Sequence, residues 1–591
     1  MGYLEPIAKS KKPIQNQKLK LNNMKSFSKL FITFCATAFL FSSCSKQNEA
    51  GRMVPKDAMF VFQVNTKSLK TKLTWDDIKQ TSWYIKAMSD SSAKPWMKKI
   101  LDDPGNSGMD MDEGLMFFVE KNALSPNGIF GMEGSIKNES DFSQFNKNLD
   151  STGTIKTDGG INMLSLKGEG IVGWDSKHFA YVFDASEAQS KINSMNPMGN
   201  QGNNMAPLVD KNEAMSAAVK NLFNLKSDES LSKNEKFADL LKEPGDMHAW
   251  INTEEIMKGS SSLGMLGMLK LDVFFKDNIG TYTVNFDNGK IDITHKGYAG
   301  KELLDFMNKY KGGSINTGMI KSIPSQNIFG LLALNFQPEG VRELIKLIGL
   351  DGMVNSYSDK IGFTLNDFVK ANKGDLVLAA SDFAMNANAD NNKKDEENSV
   401  ISSRPDLNIL FSVSIGDKAS FQKLLDAGKQ MGGAMRGSDS SIHFGQNDRF
   451  FAISNRQQFL NDYLAGNANN KFDFLDKLSG HPIGMYIDIH KILTEINNSK
   501  QMSGDASTIM NESLKLWNNV YVTSGDIKDG AIVGNTEINF MDQNTNSLKQ
   551  LNHYFDQLST IAIAKMASEK SGMSATDSLM IPPPIDTVGH K

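Results

Sequence analysis

Residues 323–335, IPSQNIFGLLALN, echo residues 54–65, VPKDAMFVFQVN, and the likeness carries forward along the chain. Residues 129–145 (IFGMEGSIKNESDFSQF) align with 409–424 (ILFSVSIGDKASFQKL), with Ser135/Ser414, Ile136/Ile415 and Phe142/Phe421 in register. Residues 249–257 (AWINTEEIM) match 485–493 (MYIDIHKIL), and the Asn288-Gly289 turn before Ile291 matches Asp529-Gly530 before Ile532. One short match arises easily by chance; four in the same order do not. The pattern predicts two tandem duplicated halves, residues 54–312 and 319–562, each about 250 residues and so at the upper end of domain size.

Within each half, short alternating apolar runs give way to amphipathic stretches, which predicts an α+β fold with an antiparallel sheet and packed helices. In the first half, residues 59–64, 115–120 and 129–136 read as strands, while 69–73, 78–88 and 141–149 read as helices. Phe142, Phe145 and Leu149 share one helical face. Residues 162–167, 171–174 and 179–183 form a meander broken at Gly and Asp turns. Strands at 282–286 and 291–298 and a helix at 301–311 close this half. Residues 193–204 and 386–398 and the tail from 571 are Asn-rich or polar and read as surface insertions.

Residues 1–23 precede a second methionine, Met24, which reads as the working start. Residues 24–43 then follow the order of an export signal: Lys25 and Lys29, an apolar run over 30–41, and the small residues Ser42 and Ser43 ahead of Cys44. The apolar run is shorter than the ~20 residues needed to span a bilayer. The segment resembles bacterial lipoprotein signals, with Phe41 in place of the usual leucine. That resemblance implies an acylated Cys44 as the mature N-terminus, followed by a polar tether over residues 44–53. The alternative is an ordinary secretory signal with an incidental cysteine. Two or more acyl chains give stable attachment, so the expected partner is a membrane reached through an N-terminal anchor.

The only other cysteine, Cys35, lies in the apolar run, so the mature body has no thiol for disulfides, zinc-thiolate sites or nucleophilic catalysis. Removing residues 1–43 takes away seven lysines and one glutamate, leaving 57 basic against 67 acidic residues. A net charge near -10 with no Lys/Arg cluster argues against a nucleic-acid partner.

No motif reaches the level of a catalytic site, and neither a cofactor nor a metal is implied. Residues 168–173 satisfy G-x-G-x-x-G but have strands on both sides, so they read as a hairpin turn. Ser91 and Lys94 match S-x-x-K without its companion motifs. Asp110, Asp112 and Glu113 lack the remainder of a calcium loop. The histidines show no i, i+4 ligand pair. What the halves share is apolar positions, turn glycines and strand-end polar residues such as Asn65/Asn335.

One stretch differs between the halves. Residues 263–275, LGMLGMLKLDVFF, are strongly apolar, whereas the segment before Trp517 is mostly polar. Leu263, Met265, Leu266, Met268 and Phe274 are therefore the candidate partner surface, burial in the core being the alternative.

With the lipobox and the [IV]-P-x-[DQ]-x-[MI]-F strand opening, the chain resembles a family of uncharacterised Bacteroidota lipoproteins, domain of unknown function 4836. The resemblance implies an outer-membrane or cell-surface address and brings no catalytic residue. The function expected is a non-catalytic envelope module that binds a protein or polymer. A glycan hydrolase using an unrecognised carboxylate pair and a structural surface component are the alternatives.

Overall fold

The structure, a computed structural model, describes residues 50–91, 93–122, 125–167, 169–185, 210–258, 269–386, 404–432, 442–499 and 504–571. The leader from Met24 to Cys44, Ser92, Gly168, residues 193–204, nearly all of 386–398, and 572–591 lie outside the described residues.

Among the described residues eighteen strands form one antiparallel sheet. The first ten are β1 (Phe60–Val64), β2 (Leu115–Asn122), β3 (Ser125–Ser135), β4 (Lys156–Asp158), β5 (Ile161–Leu166), β6 (Gly170–Trp174), β7 (His178–Asp184), β8 (Met247–Asn252), β9 (Ile279–Asp287) and β10 (Lys290–Tyr298). The remaining eight are β11 (Ile328–Asn335), β12 (Asn372–Asn386), β13 (Arg404–Ile415), β14 (His443–Gln446), β15 (Phe450–Ser454), β16 (Ile483–Asp488), β17 (Trp517–Lys528) and β18 (Ala531–Phe540).

The pairings place the first ten in the order β4-β5-β6-β7-β3-β2-β1-β8-β9-β10. From β10 the sheet continues β18-β17-β16-β11-β12-β13-β15-β14. Read from its two ends, the sheet uses one connection scheme twice. β1 lies between β2 and β8, and β11 lies between β12 and β16. The first part adds only β4 and β5 at its outer edge. β10 and β18 pair through nine positions, and the fifth, at the midpoint, sets Thr294 opposite Asn535.

Turn chemistry fixes the two hairpins beside this seam. Asp529 (φ 50°) and Gly530 (φ 74°) both take the left-handed conformation that a two-residue hairpin needs. In the other hairpin Gly289 sits at φ 69°, and a Cβ there would come within 2.5 Å of Gln543 Cα. Helix starts are set just as locally. Thr74 with Asp77, and Thr364 with Asp367, form reciprocal capping boxes.

One expected helix is two. Residues 78–88 keep an apolar helical spacing, but the chain breaks between Trp75–Lys79 and Ser82–Ser89. Thr81 is extended (ψ 146°), and its hydroxyl accepts the Tyr84 N–H, so a second helix starts where the apolar pattern runs on. At the other end, the last helix, Ser547–Ser571, continues past residue 562.

Residues opposite each other on paired strands point to the same face. The row from Val64 runs through Met247, Val284, Ile293, Thr536, Val522 and Met485 to Leu332, so Val64 and Leu332 share one side of the whole sheet. Val61 and Leu331 occupy the other side.

On the Val61 side lie two cores. One buries Val61, Phe118 and Trp250 under Met215, Val219 and Leu222 of the helix Lys211–Phe223. The other buries Leu331, Ala379 and Leu410 with Phe459, Leu460 and Tyr463 of the helix Gln457–Ala465. The Val64 side is unequal. Phe142, Trp174, Phe179 and Tyr181 build an aromatic core over the first half, while over the second Phe421 buries in a smaller cluster with Ala371 and Ile415, against half-buried Leu424 and Phe451.

Candidate functional site

Between the two cores of the Val61 side, where β10 meets β18, the sheet carries polar side chains from both halves. Lys290 Nζ lies 3.1 Å from Asp292 Oδ2 and 2.9 Å from Glu537 Oε2. Asn535 Nδ2 donates to Asp292 Oδ1 at 2.9 Å, and Asn539 Nδ2 donates to Glu537 Oε1 at 3.0 Å. Lys477 also pairs with Glu537, and its ammonium sits 4.4 Å from the centre of the Tyr521 ring. Tyr521 continues into Tyr486 and Phe474, whose rings stack 4.5 Å apart. On the first-half side Lys296 pairs with Glu243, which accepts Thr283 Oγ1 at 2.6 Å.

The electrostatics of this ladder are closed within it. Burial pushes the Glu537 carboxyl upward, but hydrogen bonds from Lys477, Lys290 and Asn539 win and hold it at about 2. Asp292 faces Glu537 across the strands, yet Lys290 bridges both. A glycosidase pair needs one carboxyl that carries a proton near neutral pH; Glu537 is the opposite, an anion held by two cations. The ladder offers ion pairs and amides to a polar ligand.

Two carboxyls elsewhere are held up. Burial raises Glu133 to about 7 against the backbone N–H groups of Met53 and Gly51 that hydrogen-bond it, the Met53 N–H at 2.9 Å. Burial, with the charge of Asp57, raises Glu120 to about 8. Glu133 is committed to the point where the chain enters the folded body.

Two shallow depressions among the described residues each lie within one half. One, of about 450 Å3, is lined by Asn234, Lys236, Asn252, Glu254, Asp277, Ile279, Ala299, Gly300 and Lys301. The other, of about 380 Å3, is lined by Pro324, Ser325, Gln326, Asp462, Asn467, Ala468 and Asn470. Among the described residues no group of three His, Cys, Asp or Glu is placed to hold a metal, and no helix is long and apolar enough to cross a membrane.

The sequence candidates fall as follows. Cys44, Leu263, Met265, Leu266 and Met268 lie outside the described residues. Phe274 is half-buried at the end of the short turn Leu271–Phe274, beside buried Val273. Asp110 Oδ1 accepts the Asp112 N–H, and Lys70 pairs with Asp112 at 2.7 Å, which makes the acidic run a turn. Lys94 is the N-cap residue of the helix Pro95–Asp102, and β5 and β6 pair on either side of the glycine motif. His248 spends Nδ1 on Gln63 and Nε2 on the Glu243 carbonyl, and burial lowers its pKa. His481 Nδ1 lies 2.5 Å from Asp526.

Asn65 and Asn335 end matching strands with different partners. Asn65 caps the helix Thr66–Lys72, whereas Asn335 holds Gly313 and Asp375. Both are scaffold. Sequence reasoning passed over the Lys290–Glu537 ladder because its two sides are 247 residues apart.

Residues 51–200 match the family described as Domain of unknown function (DUF4836). The matched DUF4836 stretch takes in β1 to β7 and the aromatic core around Phe142. No curated protein and no solved structure matches the chain.

Proposed function

We propose that this chain is a lipid-anchored cell-envelope protein, held at the outer membrane through acylated Cys44, whose body is a non-catalytic binding or assembly module for an envelope protein or polymer. We further infer that the body arose by tandem duplication, with residues 54–312 and 319–562 as the repeats, in line with its likeness to uncharacterised Bacteroidota lipoproteins. What supports the duplication is the connection scheme: β1 and β11 hold the same place between neighbours that also correspond, and the four sequence matches fall on corresponding elements.

The observation that carries the non-catalytic reading is the ladder at the seam. Polar groups from both halves do converge there, but they satisfy one another, with Glu537 held at about 2 between Lys290 and Lys477. The carboxyls that are held up sit apart from it, and Glu133 is bound to backbone. The remaining asset is surface, which suits recognition.

Fractionation of cells tests the anchor. Wild type is expected in the membrane pellet and Cys44→Ser in the soluble fraction; equal membrane association of both would contradict the reading. Affinity capture with immobilised envelope polymers, set against Glu537→Gln, tests whether the seam is the binding surface.

A further inference from the structure

We propose that the outer edge of β14 is a strand-addition site, where an extended segment of a partner protein pairs antiparallel and sets apolar side chains against Phe444 and Ile442. This rests on the binding-module reading above and names how that module takes a protein partner.

The two ends of the sheet carry matching hairpins. Between β6 and β7, Asp175 Oδ1 accepts the N–H groups of Lys177 and His178, each at 2.7 Å. Between β14 and β15, Asn447 Oδ1 accepts the N–H groups of Arg449 and Phe450, each at 2.8 Å. Gly173 stands opposite Ala180 in the first hairpin, and Gly445 opposite Ala452 in the second. Each glycine lies under a helix, where an added Cβ would strike Val219 of Lys211–Phe223 or Leu464 of Gln457–Ala465. Counting from the glycines, Phe444 holds the place of Val172, Gln446 that of Trp174 and Ile442 that of Gly170.

The ends differ one strand further out. In the first half β5 covers the edge of β6, with Leu164 opposite Val172, and both are fully buried. Among the described residues nothing pairs beyond β14, and Phe444 is 56 % and Ile442 67 % exposed. The Asn447 N–H bonds the Phe450 carbonyl at 3.0 Å, and inward bonding alternates along an antiparallel pair. Gly445 and His443 therefore spend their backbone groups on β15, while the N–H and C=O of Phe444 and Gln446 face outward. An open edge lined by apolar side chains is a template for another strand. Donors and acceptors at strand spacing ask for a polypeptide rather than a glycan. β5 shows which side chains suit the place: Leu164 would meet Phe444, Leu166 would meet Ile442, and the Asn162 amide would meet Gln446.

The probe is a fluorescent peptide with the sequence of residues 160–167, GINMLSLK, titrated into the full chain in detergent micelles. The proposal expects a saturable rise in anisotropy. Binding should weaken about tenfold for the peptide with Leu164→Asp, and about tenfold for protein carrying Gln446→Pro. That proline deletes one outward N–H and leaves the bonds to β15 in place. Phe444→Lys, which keeps the backbone edge and charges its apolar side, is the second variant and carries the same expectation should Gln446→Pro melt early. No saturable binding up to about 1 mM peptide overturns the proposal. So does equal binding to wild type and Phe444→Lys, which would put the peptide elsewhere. Hydrogen exchange at the Phe444 and Gln446 amides should slow only when peptide is present. Slow exchange without peptide overturns the proposal, since the edge would already be covered by this chain or by a second copy. Micelles hold the chain whether or not Cys44 is acylated, and polymer capture at the seam reads the binding module separately, so failure here is distinct from failure of either reading.

Discussion

Asp556 caps a helix that lies 474 residues before it: its Oδ1 accepts the Ser82 backbone N–H at 2.7 Å and the Trp83 N–H at 3.4 Å, and its Oδ2 accepts Ser82 Oγ at 3.2 Å. Thr81 takes the next N–H, so the first three donors of the helix Ser82–Ser89 are all satisfied. Lys549, a little earlier on the same C-terminal helix, pairs with Asp77 at 3.0 Å. The end of the chain thus holds the helical cap of its beginning.

Replacing Asp556 with Ala removes a buried charged cap and leaves two N–H groups without partners. The expected loss is about 2 kcal/mol, against about 1 kcal/mol for Asp556→Asn, which keeps one acceptor. Denaturant midpoints at constant m-value measure both. Equal midpoints for wild type and Asp556→Ala would mean that the C-terminal helix is not docked on the cap.

Glu133 makes stability depend on pH with a definite sign. Its folded pKa, about 7, lies above the ordinary glutamate value of 4.5, so the folded state binds more protons in between. Its contribution is complete below pH 4.5 and is lost as pH rises through 7. The unfolding free energy of wild type relative to Glu133→Gln should fall by about 3 kcal/mol from pH 4 to pH 8. A difference that stays flat, or grows with pH, contradicts this.

Phe142 and Phe421 hold matching places in sequence and unequal places in structure. Phe142 is fully buried among Trp174, Phe179 and Tyr181, with its ring 5.0 Å from that of Phe179. Phe421 meets a smaller cluster, with its ring 5.6 Å from that of Phe451. Phe142→Ala should cost about 4–5 kcal/mol and Phe421→Ala about 3, because the looser surroundings can close on the smaller gap. Thermal or chemical denaturation of the two variants ranks them.

These pairs also mark how far the sequence could be read. The strands were legible because alternation at β1 and turn residues at Asp529-Gly530 act within a few residues. The fate of residues 78–88 was not, since the apolar spacing continues through Thr81 while the cap that divides it is a local hydrogen bond. Nothing in β10 announces that it pairs with β18, because an edge strand and a seam strand have the same pattern. The seam ladder and the Asp556 cap stayed hidden for one reason. Each joins groups that only the finished sheet brings together, 247 and 474 residues apart. The exposed Phe60 and Phe62 were visible as an apolar strand, but which side lacked cover depended on where the helices ended.

The central claim concerns the mature N-terminus, and the intact mass of the purified protein tests it most directly. The account predicts a chain beginning at Cys44 and carrying two or three acyl chains, with the added mass removed by base hydrolysis of its esters and absent from Cys44→Ser. A mature chain that begins elsewhere, or one with an unmodified Cys44, would contradict it.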